Sequence, residues 1–309
     1  MVRKKRTQQL FHTYFLEWVE LYKVGAVRSV TLDKYYISHQ RLTELVPELK
    51  LCDLDRRAYQ QLLNDYAKNH EKQTTLDFHH QIKGAIMDAV DEGLIECNPT
   101  RKIIIKGKNP REKKPKFLNQ FELQLLLKQL NLQPTINWDW FILLVAKTGM
   151  RFSEALAITP NDFDFSKQML DISKTWNYRG TKGSFQPTKN PSSVRKIQLD
   201  WQLAMQFSNL TRNLAPERPV FISGRVFNST INHRLAVLCR NANIPIITIH
   251  SLRHTHASLL LFAGVSIASV ARRLGHSSMS TTQETYLHII HELENQDSDK
   301  IIRHLATLV

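Results

Sequence analysis

The sequence has few cysteines and no long hydrophobic run. Its three cysteines, Cys52, Cys97 and Cys239, form neither a disulfide framework nor a CxxC metal motif, which suits a reducing compartment. The longest apolar runs, such as FILLVA at 141–146, are far shorter than the roughly 18–20 residues that span a bilayer. The basic N-terminus has no apolar stretch or cleavage site, so no signal peptide is expected. We therefore predict a cytoplasmic protein with no membrane partner.

The sequence also lacks a phosphate-binding loop and a cluster of carboxylates. His254 and His256 suggest a metal site at first, but a spacing of two on a helix points their rings in different directions. No acidic or cysteine cluster accompanies them. We therefore expect no metal ion and no cofactor.

Acidic residues are outnumbered by basic ones, 28 against 42, which gives a net charge of +14 and a pI of about 9.7. Such a charge is typical of proteins that bind nucleic acid, although a generally basic protein is the alternative. Eight basic residues and one acidic residue fall in RKIIIKGKNPREKKPK, residues 101–116. This composition predicts a linker that could lie along a phosphate backbone. Its candidate DNA contacts are Lys106, Lys108, Arg111, Lys113, Lys114 and Lys116.

The length of 309 residues favours two domains. Before the linker, apolar residues recur every three or four positions, which predicts a bundle of about four helices. Asp55 is a candidate helix cap, and Thr74 with Asp77 resembles a capping box at the start of another helix. We therefore expect a fold that is mostly α and that begins with an N-terminal helical bundle.

After the linker, Asn119 and Glu122 form a capping pair, and Gly149 ends an apolar helix. Alternating residues with turn signals over 163–173 and 183–199 predict a three-stranded antiparallel sheet, followed by further helices. The second domain is thus α+β with a small antiparallel sheet. The predicted segments are a basic tail at 1–8, a helical domain at 9–100, the linker at 101–116, the second domain at 117–290 and a tail at 291–309.

Five places in the second domain carry polar residues that packing alone does not require. They are Arg151 with Glu154, Lys189, His250 with Arg253, His276 and Tyr286. Each has an ordinary explanation by itself, such as a helix cap, a surface charge or half-buried packing. Together they suit phosphoryl transfer, because two guanidinium groups can grip a phosphate and stabilise its transition state. His250 and Arg253 also share one face at a helix N-terminus, where an anion is favoured.

Five segments, in this order, resemble the motifs of the tyrosine recombinase (phage integrase) family. They are TGMRFSEAL, PTKNPSSVRKI, IHSLRHTHASLLL, LGHSS and TTQETYLH. The resemblance covers essentially the whole chain, since the N-terminal helices look like the core-binding (SAM-like) domain of the family. The sequences HTHAS and LGHSS are more similar to those of integrases from mobile elements than to those of chromosome-dimer resolvases.

The resemblance implies a role for each residue. Tyr286 would attack the scissile phosphate and form a 3′-phosphotyrosyl link, while Arg151 and Arg253 clamp the phosphate. His250 would act as acid or base, and His276 would donate a hydrogen bond to the phosphate. Lys189, which we place at the turn of a β hairpin, would protonate the leaving 5′-oxygen; Lys182 and Lys196 lie in the same region, but Lys189 matches the turn position of the family best. Glu154 would support Arg151. Neither ATP nor metal is needed, since the covalent bond stores the energy.

The resemblance also implies a partner and an assembly. Members of the family act as homotetramers on two double-stranded DNA sites through a Holliday junction, with accessory or directionality factors in some cases. The tail after Tyr286 is apolar at Ile301, Ile302, Leu305 and Leu308, and such tails dock on a neighbouring protomer in this family; packing on its own domain is the alternative. A bacterial, nucleoid-associated protein is expected. Two other hypotheses are a type IB topoisomerase and a DNA-binding protein of the same fold without activity.

Overall fold

The computed structural model describes residues 8–109, 117–179 and 183–286. The chain divides into two compact units, with the boundary after residue 112. The expected architecture, mostly helical with small antiparallel sheets, is confirmed. No helix among the described residues is long and apolar enough to cross a membrane.

The first unit is a helical bundle. Its described helices are α1 (Phe11–Tyr22), α2 (Ser29–Leu45), α3 (Arg56–Ala67) and α4 (Lys72–Asp91), with a 3-10 turn at Leu51–Asp53. The aromatic face of α1 is buried in the core, where Phe11 and Phe15 are fully inaccessible. An aromatic stripe at helical spacing is therefore core here.

Of the two helix caps predicted in the first unit, the structure confirms one and contradicts the other. The Asp55 carboxylate accepts a hydrogen bond from the amide of Ala58 at 2.7 Å, as predicted. The capping box at Thr74 and Asp77 was a wrong prediction, because α4 already begins at Lys72. Glu71 precedes it in extended conformation and pairs with Lys108, so a contact distant in sequence sets the start of the helix.

The predicted linker needs correction over residues 101–109. Ile103 and Ile105 pack against the core of the first unit, and the side chain of Gln60 bonds both the amide and the carbonyl of Ile104 at 2.8 Å. Gly107 passes so close to Lys72 that a Cβ would lie 2.2 Å from its amide nitrogen. This stretch thus belongs to the bundle, because alternate isoleucines attach it there. Arg111, Lys113, Lys114 and Lys116 lie outside the described residues.

The second unit is built around one buried helix. Its described helices are α5 (Gln120–Lys128), α6 (Trp138–Thr148), α7 (Phe152–Leu156), α8 (Trp201–Thr211), α9 (Asn228–Asn241), α10 (Ile249–Phe262) and α11 (Ile267–Leu274), and residues 279–286 are also helical. Every residue of α6 from Asp139 to Ala146 is buried, as expected of a helix that is apolar on all sides. The predicted capping pair before α5 is confirmed, with reciprocal bonds of 2.8 and 2.9 Å between Asn119 and Glu122.

The predicted three-stranded antiparallel sheet is confirmed, and the β region also forms a second sheet that the sequence pattern did not predict. Strands β1 (Phe163–Asp164), β2 (Met169–Ile172) and β5 (Arg195–Gln198) form an antiparallel sheet in the order β1-β2-β5. Strands β3 (Lys174–Asn177) and β4 (Ser184–Pro187) form a separate hairpin. The hairpin has its own packing, since Trp176 meets Phe185 edge-on across the strands.

Candidate active site

Two helices next to the predicted site end in a glycine of left-handed conformation. Gly149 ends α6 with φ +68°, and a Cβ there would lie 2.7 Å from the ring of His256 and 2.9 Å from Leu274. Gly275 ends α11 with φ +70°, and a Cβ there would lie 3.0 Å from Arg195. Glycine is needed at both positions, because it alone avoids both the backbone strain and the clash.

The carbonyl groups freed at these helix ends hold two arginines. The guanidinium of Arg253 donates to the carbonyls of Gly149 and Leu274, each at 2.8 Å. The guanidinium of Arg151 donates to the carbonyl of Gly275 at 2.9 Å. Successive carbonyls of one helix end therefore orient both side chains, although Arg253 is 102 residues further along the chain than Arg151.

Glu154 joins Arg151 to a third arginine. One carboxylate oxygen accepts from Arg151 at 2.7 Å and the other accepts from Arg195 at 3.0 Å. Burial alone would favour the neutral acid, but Arg195 and then Arg151 hold the pKa of Glu154 below its usual range. The carboxylate is thus charged, and it stabilises two cations that lie on different elements.

Arg195 is a site residue that our sequence analysis missed. It is buried on β5, where it also donates to the carbonyls of Ser193 at 2.8 Å and Arg273 at 2.6 Å. Ser193 in turn accepts from Arg151 through its hydroxyl at 3.1 Å. The available signal was the alternation of β5, which puts Arg195 on the same inward face as Ile197.

The electrostatic environment of the site is strongly positive. Burial, followed by the charge of Arg151, lowers the pKa of Arg253 to about 9, so the guanidinium stays protonated at neutral pH. His250, in the first turn of α10, remains exposed, yet desolvation, Arg253 and Arg151 lower its pKa. Burial and the same two arginines lower the pKa of His276 to about 4. Both imidazoles are therefore uncharged at neutral pH in the protein alone.

His276 and Tyr286 lie at either end of one short segment. The ring of His276 contacts the hydroxyl of Thr282 through Nδ1 at 2.7 Å. Tyr286 is 2% exposed, and its ring packs against residues of α10 and α11, including Leu261 and Leu274. Burial raises the pKa of Tyr286 to about 12, with Arg253 acting in the opposite direction. Its hydroxyl lies 2.9 Å from Nδ1 of His254, a residue to which the sequence analysis gave no role.

The structure thus brings together most of the predicted site residues. These are Arg151, Glu154, His250, Arg253, His276 and Tyr286. The predicted position of Lys189 at the turn of a hairpin is wrong. Lys189 is exposed in the connection from β4 to β5, which are strands of different sheets. That connection reaches the site through Ser193. Lys106 and Lys108 are exposed in the first unit.

The described residues contain no group of three or more His, Cys, Asp or Glu that could hold a metal ion. His256 faces away from His254 and makes two buried contacts instead. Its Nδ1 lies 3.1 Å from the carbonyl of Ala146, and its Nε2 accepts from Arg273 at 3.0 Å. Since a carbonyl requires a donor, Nδ1 carries the proton, and the ring links α6 to α11.

Comparison with known proteins identifies the family. A sequence profile of the phage integrase family matches residues 116–292, more than half of the chain. The chain belongs to this family. It is 24% identical to an integrase of Staphylococcus phage L54a over 94% of this chain and 92% of that one. It is 28% identical to the tyrosine recombinase XerC of Bacillus subtilis strain 168, with coverage of 92% and 93%.

The fold is that of a solved integrase. The Tn1549 transposon integrase, in complex with a circular intermediate DNA, superposes with a TM-score of 0.73 at 18% identity, covering 89% of this chain and 94% of that one. The chain is accordingly a tyrosine recombinase, an enzyme of site-specific DNA recombination. The relatives do not favour a topoisomerase or a DNA-binding protein without activity.

We predict that Gly275→Ala abolishes recombination while the protein still folds. The added Cβ would displace Arg195 and Ser193, and with them the carbonyl that holds Arg151. Gly264→Ala is a matched control, because Gly264 has φ +80° but no atom within 4 Å of an added Cβ. Both variants should lose about 1–2 kcal/mol of stability to backbone strain. Equal activity of the two variants in a strand-cleavage assay would contradict the prediction.

The buried His256 predicts that the second unit is sensitive to acid. Burial, then Arg273, lowers the pKa of His256 to about 3, whereas a histidine in an unfolded chain titrates near 6.5. Between these values the unfolded state binds the extra proton, so the stability present above about pH 6.5 is lost as the pH falls. At about pH 5 the loss is about 2 kcal/mol.

Urea unfolding at several pH values measures this loss. In His256→Gln, which cannot titrate, the dependence of the unfolding free energy on pH between about 5 and 7 should become weaker. An unchanged pH dependence in that variant would show that His256 is not responsible.

Proposed function

We propose that this recombinase cleaves double-stranded DNA through attack of the Tyr286 hydroxyl on a phosphate held by Arg151 and Arg253. The attack forms a 3′-phosphotyrosyl link and frees a 5′-hydroxyl, and the reverse step rejoins the strands. One observation carries the proposal: two guanidinium groups are fixed on the carbonyls of two helix ends, next to the buried tyrosine.

The arginines keep donors for a substrate. A guanidinium has five N–H groups. In the described part of the chain, Arg151 donates three hydrogen bonds and Arg253 donates two. The remaining N–H groups can bind the non-bridging oxygens of a phosphate and stabilise the additional negative charge of the transition state. Because the protein already holds both side chains, little reorganisation is needed when DNA binds.

The other predicted residues complete the reaction. His250 acts as acid or base, and His276 donates a hydrogen bond to a phosphate oxygen. Lys189 protonates the leaving 5′-oxygen; its exposure supports this role, since a DNA strand can reach it. Glu154 keeps Arg151 in position and does not contact the substrate, as its burial between two arginines indicates. Neither ATP nor a metal ion takes part in this scheme.

Double-stranded DNA is the partner, and the proposed contacts extend to the first unit. The excess of positive charge and the exposed Lys106 and Lys108 support binding along the phosphate backbone. We assign the same role to Arg111, Lys113, Lys114 and Lys116. In this proposal both the helical domain at 9–100 and the catalytic domain at 117–290 contact the DNA core site.

The proposed assembly is a homotetramer that exchanges strands through a Holliday junction. The tail at 291–309, which lies outside the described residues, would dock on a neighbouring protomer through its apolar residues Ile301, Ile302, Leu305 and Leu308. Directionality factors would select insertion or excision. We place the protein on a mobile element that acts in a bacterial nucleoid; the phage integrase among the relatives and the transposon integrase of similar fold support the mobile element.

We predict that Tyr286→Phe forms no covalent adduct with DNA. Nicked duplexes carrying candidate attachment sites trap the cleaved state, and an adduct is visible as a band that resists detergent. The wild type should form it without added metal or ATP. Tyr22→Phe, a change at an exposed tyrosine of α1, should form it at the wild-type rate. An adduct in Tyr286→Phe would overturn the assignment of the nucleophile.

We predict that replacing Lys106 and Lys108 by alanine weakens DNA binding about equally on all sequences. Each phosphate contact releases about one counterion, so the slope of log affinity against log salt should fall by about two. Lys68→Ala, which removes an exposed lysine paired with Asp65, should leave the slope unchanged. Fluorescence anisotropy at several salt concentrations measures it. An unchanged slope in the double variant would place these lysines away from DNA.

A further inference from the structure

The hydroxyl of Tyr286 has a histidine as its neighbour, and this histidine is outside the predicted set. Nδ1 of His254 lies 2.9 Å from the hydroxyl oxygen, within ordinary hydrogen-bond distance. The two rings are tilted by 58° with centroids 5.9 Å apart, so they meet through these atoms and not by stacking. His250, to which the resemblance gave the role of acid or base, contacts the ring of His254 edge-on, with ring centroids 4.9 Å apart.

We propose that His254 is a further catalytic residue, which holds the hydroxyl of Tyr286 through Nδ1 and takes up its proton during the attack on the phosphate. The inference rests on the proposed function of Tyr286 as the nucleophile. It assigns the proton of the nucleophile to a residue other than His250.

The burial of Tyr286 makes such a proton acceptor necessary. With its pKa raised to about 12, the phenol is almost entirely protonated at neutral pH. Transfer of the proton during the attack removes the need to form a free phenolate beforehand. His254 is adjacent to Arg253 on α10, so the proton acceptor and one phosphate-binding group belong to the same rigid element.

Charged and titratable groups lie around His254. The ring of His250 contacts it from α10, where Arg253 precedes it in sequence, and His276 and Tyr286 lie near it from the following segment. A bound phosphate adds negative charge to this site, and a negative charge nearby favours the protonated form of an imidazole. The substrate therefore assists transfer of the phenolic proton to His254.

Bonds and protons balance both in cleavage and in rejoining. In cleavage, the phenolic oxygen forms its bond to phosphorus as the bond to the 5′-oxygen breaks. The phenolic proton moves to Nδ1 of His254, and the 5′-oxygen takes a proton from Lys189. In rejoining, the 5′-hydroxyl attacks phosphorus and returns its proton to Lys189, while the tyrosine oxygen leaves and recovers its proton from His254.

Two substitutions of His254 separate its hydrogen bond to the Tyr286 hydroxyl from its uptake of the proton. In His254→Asn, the side-chain oxygen can stand near the position of Nδ1 and accept a hydrogen bond, but it cannot take a proton at neutral pH. In His254→Ala, both capacities are lost. We expect adduct formation on nicked DNA at saturating protein to slow about a hundredfold in both variants. His233→Asn, at an exposed position of α9, is the matched control and should keep the wild-type rate.

A substrate with sulfur at the bridging 5′ position tests which proton is affected. Sulfur leaves as a thiolate and needs no proton, because thiols are far more acidic than alcohols. The substrate should restore cleavage by Lys189→Ala, which lacks the acid, and leave the His254 variants slow. The acid limb of the wild-type pH–rate profile should also vanish in His254→Asn, a change that a purely structural role would not cause.

The outcomes distinguish this inference from the proposed function. If the wild type forms no adduct that depends on Tyr286, the proposed function itself fails. If the wild type forms one, and the His254 variants cleave at the wild-type rate or faster, only the role of His254 is overturned. Rescue of His254→Asn by the sulfur substrate would also overturn it. Unchanged DNA affinity and melting temperature in His254→Asn confirm that the variant is folded.

Discussion

The site depends on the helix end formed by Leu274 and Gly275, whose adjacent carbonyls accept hydrogen bonds from Arg253 and Arg151. A helix C-terminus carries partial negative charge and unpaired carbonyl groups, so it can hold cations without a formal anion. This suits an enzyme that must present positive charge to DNA. If carboxylates paired with both guanidinium groups, they would compete with the phosphate, whereas carbonyls orient the side chains and leave their charge available.

Glu154 is the one buried carboxylate in direct contact with the arginines of the described site. It neutralises part of the charge, and it is shared between Arg151 and Arg195. Removing one partner of a buried ion pair is costly because a charge is then left without compensation. The pairing therefore ties β5 to the start of α7, and it keeps Arg151 fixed before DNA arrives. Burial first, and then the positive charge of Arg253 and Arg151, lowers the pKa of the neighbouring His250 and His276.

Sequence reasoning succeeded where the signal is local. The caps at Asp55 and Asn119 and the end of α6 at Gly149 each depend on a few adjacent residues. It failed where distant segments meet. The start of α4 is set by pairing with Lys108, and the buried position of Arg195 becomes meaningful only once the end of α11 is packed beside β5. Such contacts have no counterpart in residue spacing.

Helix α10 shows how one spacing argument was correct and still incomplete. His254 and His256, two residues apart, do point in different directions: one ring meets Tyr286, and the other meets Ala146 and Arg273 in the core. The separation that argues against a shared metal ion is what lets a single helix serve two purposes. Its face with His250, Arg253 and His254 belongs to the chemistry. The opposite face, through His256, fixes the helix against the elements that carry Gly149 and Gly275, so the same helix that places the reacting groups also positions the glycines supporting them.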